Sequence, residues 1–208
     1  AGSAQIRLLM VKESSPNTRD VIALFLMLTA IIFWFFIDVF GHELLAQIAI
    51  LAIFAMSLDL LVGYTGMVSL GHAAFFGAGA YATAGLSTMA ELPMWAVIPM
   101  SMICASALAF CVGFFAVRLT GVFFIMITLA AGEMLHAFVF RSRFFGGDDG
   151  LSGVPRLNLE TLDIDLLHPA QFSLFTLVVA VLVYWIVRSI VESPTGRVLV
   201  GIRLNEAR

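Results

Sequence analysis

Glu133 and His136 stand three residues apart in Val122–Phe140, a stretch with no other charge. On a helix that spacing puts both on one face, close enough to hydrogen-bond each other. A carboxylate beside an imidazole can hold two helices together, or pass a proton or a solute. Asp59, Ser69 and His72 form a second set of polar groups in an apolar setting. An acidic group in mid-membrane costs roughly 2.5–3.5 kcal/mol on insertion scales. Such groups read either as internally satisfied packing elements or as a pathway.

Covalent and metal chemistry fit these residues poorly. Gly66-Met67-Val68-Ser69-Leu70-Gly71 is one residue too long for a Gly-x-Ser-x-Gly nucleophile elbow. His42-Glu43-Leu44-Leu45-Ala46 starts like a zinc-protease helix and lacks the second histidine. His72 and His136 have no neighbouring ligand set for a metal. The sole lysine, Lys12, follows no glycine, so no phosphate-binding loop of the Gly-Lys-Ser/Thr type can be written. Cys104 and Cys111 lie two helical turns apart, roughly 10 Å, too far for a disulfide. They read as small apolar residues. No cofactor is expected. The formal net charge of −3 carries no basic cluster that would suggest nucleic acid.

The elements that must position the polar groups are membrane helices. Of the 208 residues 61% are apolar and only 12% charged, against roughly 25% charged in soluble domains. Six stretches approach the ~20 residues needed to cross a bilayer. They are Val21–Phe40, Leu44–Val62, Met67–Met89, Met94–Val117, Val122–Phe140 and Gln171–Val187. Trp34, Trp95 and Trp185 fall near span ends, where amphipathic rings favour the interface. The polar first 20 residues precede a run long enough to stay in the membrane, so the N-terminus reads as a signal anchor, not a cleaved leader.

With six spans and both termini inside, Arg7, Lys12, Arg19, Arg118, Arg188, Arg197, Arg203 and Arg208 are cytoplasmic. Arg141, Arg143 and Arg156 are external. That bias favours an N-in, C-in topology. The expected organisation is a cytoplasmic segment over 1–20, a membrane domain over 21–190 with an external loop at 141–170, and a cytoplasmic segment over 191–208. The fold class is all-α, a polytopic transmembrane helical bundle.

The third stretch differs from the others. Leu60–Ala90 has no Asp, Glu, Lys or Arg and is rich in glycine, alanine and serine. Ala73, Gly77, Tyr81 and Gly85 recur every four residues beside Ala74, Ala78 and Ala82. That ladder predicts a close-packing face. The glycines also allow a broken or re-entrant helix. In the external loop, Gly146-Gly147-Asp148-Asp149-Gly150 lacks the alternating oxygen ligands of an EF-hand. It reads as a flexible turn or a docking contact for an external partner. In the tail, Ser193-Pro194 is a helix start. Val198, Leu199 and Ile202 share one side of the following turns, flanked by Arg197 and Arg203. Such a helix can lie on a lipid surface or fill a groove in a partner.

Four of these segments together resemble the branched-chain amino acid ABC-transporter permeases of the LivM type. They are Gly63–Tyr81, Leu119–Ala130, Gly146–Leu151, and Ser193–Arg197 with Ile202–Arg208. The resemblance spans Leu58 to Arg208. It implies a partial ABC importer permease fold in a bacterial inner membrane, and no enzyme activity in the chain itself. The implied partners are a second permease of the LivH type, two cytoplasmic ATPases that hydrolyse ATP, and a periplasmic substrate-binding protein. Carried over, Gly196, Arg197, Ile202, Arg203, Asn205, Glu206 and Ala207 become ATPase-coupling contacts. Asp59, Ser69, His72, Glu133 and His136 become translocation-path candidates. Gly146, Gly147, Asp148 and Asp149 become binding-protein contacts. Family members continue past the coupling segment with further membrane helices, so the chain is expected to be a fragment or truncated product. Asp59 stands where the family more often has a neutral residue. Urea and short-amide permeases share the Gly-His-x-x-Phe-Phe pattern and are the alternative within the class. An ion-gradient transporter using Asp59, Glu133 and His136 is the alternative outside it.

Overall fold

The computed structural model describes residues 16–88, 92–119, 121–147, 150–151, 153–154, 158–159 and 164–204. Helices dominate: α1 (Pro16–Trp34), α2 (Val39–Asp59), α3 (His72–Thr88), α4 (Met94–Ala116), α5 (Val122–Arg141), α6 (Pro169–Glu192) and α7 (Pro194–Leu204). A π-helical turn, Leu60–Tyr64, extends α2, and a 3₁₀ turn, Arg143–Phe145, follows α5. The strands β1 (Asn158–Leu159) and β2 (Ile164–Asp165) form a two-residue antiparallel pair in the α5–α6 connection.

Six helices therefore lie where six spans were expected, and four have the length and apolarity to cross a bilayer. These are Val39–Tyr64, Trp95–Ala116, Val122–Arg141 and Pro169–Glu192. Of the other two, α1 is apolar in sequence from Val21 to Trp34, and its described apolar stretch is Phe25–Trp34. In α3 the helix begins only at His72 and has 17 residues, because Gly66–Gly71 is not helical. The second span also starts earlier than its apolarity suggests. Asp38 takes an extended N-cap conformation (φ −74°, ψ 173°) and sets an acidic group at the positive end of α2. His42 and Glu43 thus belong to the first turns of α2.

Helix α2 packs along α6, and α3 packs along α4 and α5. The two α2–α6 ends are fixed by polar contacts. At the start of both helices the Ser173 hydroxyl donates to the Ala170 carbonyl at 2.8 Å. Its oxygen then accepts from the Trp34 indole Nε1 at 3.0 Å and meets His42 Nδ1 at 3.3 Å. Ser173 is fully buried, so this satisfaction is what makes its burial tolerable. At the opposite end, α7 touches the π-helical turn. Among the described residues no buried side-chain polar atom lacks a partner.

The outward faces are apolar and large. Phe25, Ile32, Phe33, Trp95, Phe110 and Phe115 are all exposed, as expected of a surface solvated by lipid or by other membrane helices. Pro99 lies within α4, a position membrane helices tolerate. Arg118 lies 4.7 Å over the Phe114 ring at the end of α4, and Arg188 pairs with Glu192 at 2.9 Å near the end of α6.

Candidate functional site

A cleft of ≈310 Å³ lies between α3 and α5. One wall is the small-residue ladder, with Ala73, Ala74, Gly77, Ala78 and Tyr81. The other carries Glu133 and His136 among Leu129, Leu135 and Val139. Apolar walls carrying a few polar groups, here Glu133 and His136 on one wall and the Tyr81 hydroxyl-bearing ring on the other, are the ordinary makeup of a small-molecule site. The Glu133 and His136 side chains are exposed to the cleft side of the isolated chain. No hydrogen bond joins them among the described residues. His136 instead stacks on Phe140, with centroids 5.9 Å apart and planes at 25°.

The ladder packs in part and is open in part: a Cβ at Gly132 would lie 3.8 Å from Ala74 Cβ, and one at neighbouring Gly79 3.7 Å from Ala105 Cβ. It was expected to be a close-packing face. A Cβ added at Gly77 or Gly85 would meet nothing within 4 Å among the described residues. Tighter packing occurs elsewhere on the segment. At Gly71 an added Cβ would fall 2.3 Å from the Thr128 carbonyl oxygen, a backbone atom that cannot step aside. Gly132 of α5 faces Gly71 across the same contact, and a Cβ added there would lie 3.5 Å from Gly71 Cα. The period of four identified the small face correctly, but small residues serve both contact and vacancy.

The inner floor of the cleft is the break before α3. The Thr65 hydroxyl donates back to the Leu61 carbonyl and ends the π-helical turn. Gly66 then takes φ +77°, and the chain runs irregularly to His72. Ser69 and Gly71 are buried. Irregular backbone at membrane depth needs such protein cover. The Leu70 N–H donates to Thr128 Oγ1 at 3.3 Å, while that hydroxyl donates to the Ile125 carbonyl at 3.0 Å. The break that the glycines allowed is present at Gly66–Gly71, and it is fastened to α5.

The remaining path candidates lie outside this cleft. His72 Nε2 meets Ser57 Oγ at 2.8 Å, and that hydroxyl donates to the Phe54 carbonyl at 2.8 Å. Both bonds hold together when the imidazole is the donor. The pair borders a separate cavity of ≈200 Å³ lined by Ile50, Ile53, Phe54, Phe75 and Phe76. Asp59 is exposed at the end of α2, its carboxylate lying over Gly63. Ser57 and Thr128 were not singled out in the sequence. Each is a hydroxyl inside an apolar span, and that was the available signal.

At the outer end, Gly147 lines the cleft. Gly146 takes φ +80°, and a Cβ there would fall 2.1 Å from the Gly150 carbonyl oxygen. Phe145, just before this turn, packs edge-on against Tyr81 at 5.7 Å. The loop candidates Gly146 and Gly147 thus sit at the cleft mouth, whereas Asp148 and Asp149 lie outside the described residues. In the tail, Gly196 is buried, Arg197 is exposed and Ile202 is on α7. Asn205, Glu206 and Ala207 lie outside the described residues, as does the segment 1–15. Arg203 is exposed and reaches back along the chain: its Nη1 donates to the Gly63 carbonyl at 2.6 Å.

Apolar helices long enough to span, a break fastened inside the bundle and a cleft with two ionisable groups define a polytopic membrane protein of the permease kind. The family described as branched-chain amino acid transport system, permease component, matches residues 40–208, and this chain belongs to it. By that membership it is a permease component of a transport system, with four helices long and apolar enough to cross a membrane. The chain is similar to the high-affinity branched-chain amino acid transport system permease protein LivM of Salmonella typhimurium. The two are 26% identical over 152 residues, which is 73% of this chain and 36% of the relative. It is also similar to the protein of the same name from Escherichia coli, 31% identical over 112 residues, 53% of this chain and 26% of the relative. The chain thus matches only about a third of the length of these relatives. No solved structure matches it.

Proposed function

We propose that the chain forms the solute path of an ATP-driven importer of branched-chain or related amino acids, and couples that path to cytoplasmic ATPases. The observation that carries this reading is the α3–α5 cleft. Its walls are aliphatic and small, and its polar groups include one carboxylate and one imidazole. An aliphatic amino acid offers matching chemistry: an apolar side chain for Leu129, Leu135 and Val139, an ammonium for Glu133, and a carboxylate within reach of His136. The membership in a branched-chain permease family supports the same substrate class.

In this reading the topology is N-in, C-in. Residues 1–20 and 191–208 face the cytoplasm, 21–190 form the membrane domain, and 141–170 face the periplasm. A periplasmic binding protein delivers solute at the Gly146–Gly147 turn, and a second permease of the LivH type completes the path. Two ATPases dock on the tail, using Gly196, Arg197, Ile202, Asn205, Glu206 and Ala207. Closure of the ATPases moves the tail, and rigid helices carry the motion to the cleft.

The test is uptake of labelled leucine by vesicles holding the assembled transporter, with ATP supplied on the ATPase side. Glu133→Gln is expected to reduce uptake at least tenfold while leaving the subunits assembled. Full leucine uptake by that variant, or uptake that persists with hydrolysis-dead ATPases, would overturn the reading. Competition by urea but not by leucine would move the substrate to the short amides.

A further inference from the structure

One cation of the tail contacts the membrane domain of its own chain. The Arg203 guanidinium donates to the Gly63 carbonyl at 2.6 Å, across 140 residues of sequence. That carbonyl is available because it lies in the last turn of a helix, where carbonyls lose their intrahelical partners. It is also at the negative end of α2, where a cation is favoured. The stem of the same side chain covers the next bend: Arg203 Cγ lies 3.0 Å from where a Cβ of Gly66 would be. One side chain thus grips both the π-helical turn Leu60–Tyr64 and the left-handed residue that starts the break.

Contacts then continue without a gap to the cleft. From Gly66 the chain runs to Leu70 and Gly71, which rest on Thr128 through the 3.3 Å hydrogen bond and the backbone approach at Gly71. Leu129, Gly132 and Glu133 follow Thr128 on α5 and line the cleft. A π-helical turn is a frequent mark of a functional position. Its register is easily altered, so a group fixing its last carbonyl decides where the following segment lies.

We propose that Arg203 is a positioning residue and not an ATPase contact: it clasps the π-helical turn and Gly66, and so transmits displacement of α7 to the floor of the cleft. The proposal rests on the transport reading above, and it separates docking of the motor from transmission of its motion. Gly196 and Arg197, which do not share this contact, remain on the docking side.

The test uses the assembled transporter in vesicles, with bound ATPase, ATP hydrolysis and leucine uptake measured on each sample. Arg203→Gln is expected to keep the ATPases bound and hydrolysis within about twofold, while uptake per ATP falls at least tenfold. Arg203→Lys, which keeps a charged donor, is expected to recover at least a third of the ratio. Loss of the ATPases, or a fall in hydrolysis that matches the fall in uptake, would assign Arg203 to the docking surface and end the proposal. A second variant pair does not depend on Arg203→Gln folding. A Cβ at Gly66 would lie 3.7 Å from Arg203 Cβ, which suits a disulfide. With Cys104→Ala and Cys111→Ala as background, Gly66→Cys with Arg203→Cys should cross-link on mild oxidation. The cross-linked protein should show at least threefold more uptake per ATP than its reduced form. No cross-link, or equal uptake in both forms, would also overturn the clasp. Wild-type vesicles that bind ATPases but take up no amino acid would instead refute the transport reading.

Discussion

The two halves of the small-residue segment do opposite things with the same residue types. From Gly66 to Gly71 the absence of side chains lets backbone press on backbone, and Gly71 lies directly on the Thr128 carbonyl. Within Ala73–Tyr81 the missing side chain of Gly77 leaves space, and a Cβ there would meet nothing within 4 Å among the described residues. One half closes the floor of the cleft and the other forms its wall. Glycine in a membrane helix is therefore not evidence of packing by itself. What decides is whether another backbone arrives at that face.

The contrast can be broken most sharply at the floor. Gly71→Val is expected to destabilise the protein by about 3 kcal/mol, because the new Cβ must displace backbone. The midpoint of denaturant unfolding in detergent micelles reads this, and an unchanged midpoint would mean that the floor is not closed. Next comes the wall. Gly77→Leu should leave that midpoint nearly unchanged while cutting leucine uptake at least tenfold, since the side chain projects into the ≈310 Å³ cleft. Full uptake would show that solute passes elsewhere. A smaller effect is expected at the fastening. Thr128→Val removes the acceptor for the Leu70 N–H and should cost about 0.6 kcal/mol, typical of a hydrogen bond between membrane helices. The smallest effect has the opposite sign. Gly77→Ala should stabilise by about 0.5 kcal/mol through the unfolded chain, and a destabilisation would show that the wall is packed after all.

Much of the architecture was legible because long apolar runs between charged or proline-bearing segments have few alternatives in a bilayer. Val122–Phe140 and Gln171–Val187 fall inside α5 and α6, and the break at Gly66–Gly71 was allowed by its glycines. The start of α2 was harder to read. Val39–Glu43 mixes polar and apolar residues, and the helix nonetheless starts at Val39, directly after the extended Asp38. The site was legible in part. Glu133 and His136 do share a cleft wall, because i and i+3 lie on one face. Nothing local indicated that the ladder faces them across open space. The partners of His72, Ser173 and Arg203 were not readable either. These bonds join residues 15, 131 and 140 positions apart, and no periodicity within a single helix encodes them.

The knot at Trp34, His42 and Ser173 has a mechanical consequence. It pins the first turns of α2 and α6 together, so it can serve as a fulcrum. Gly63 lies roughly 30 Å along the helix axis from His42, at about 1.5 Å per residue. A pivot of about two degrees at the knot would therefore carry Gly63 about 1 Å sideways, with no helix bending and no hydrogen bond in the knot broken. Small angular play at one face of the membrane thus becomes a displacement of atomic size at the other. That hydrogen-bond set and the packing of α2 along α6 together govern how much of that arc is available.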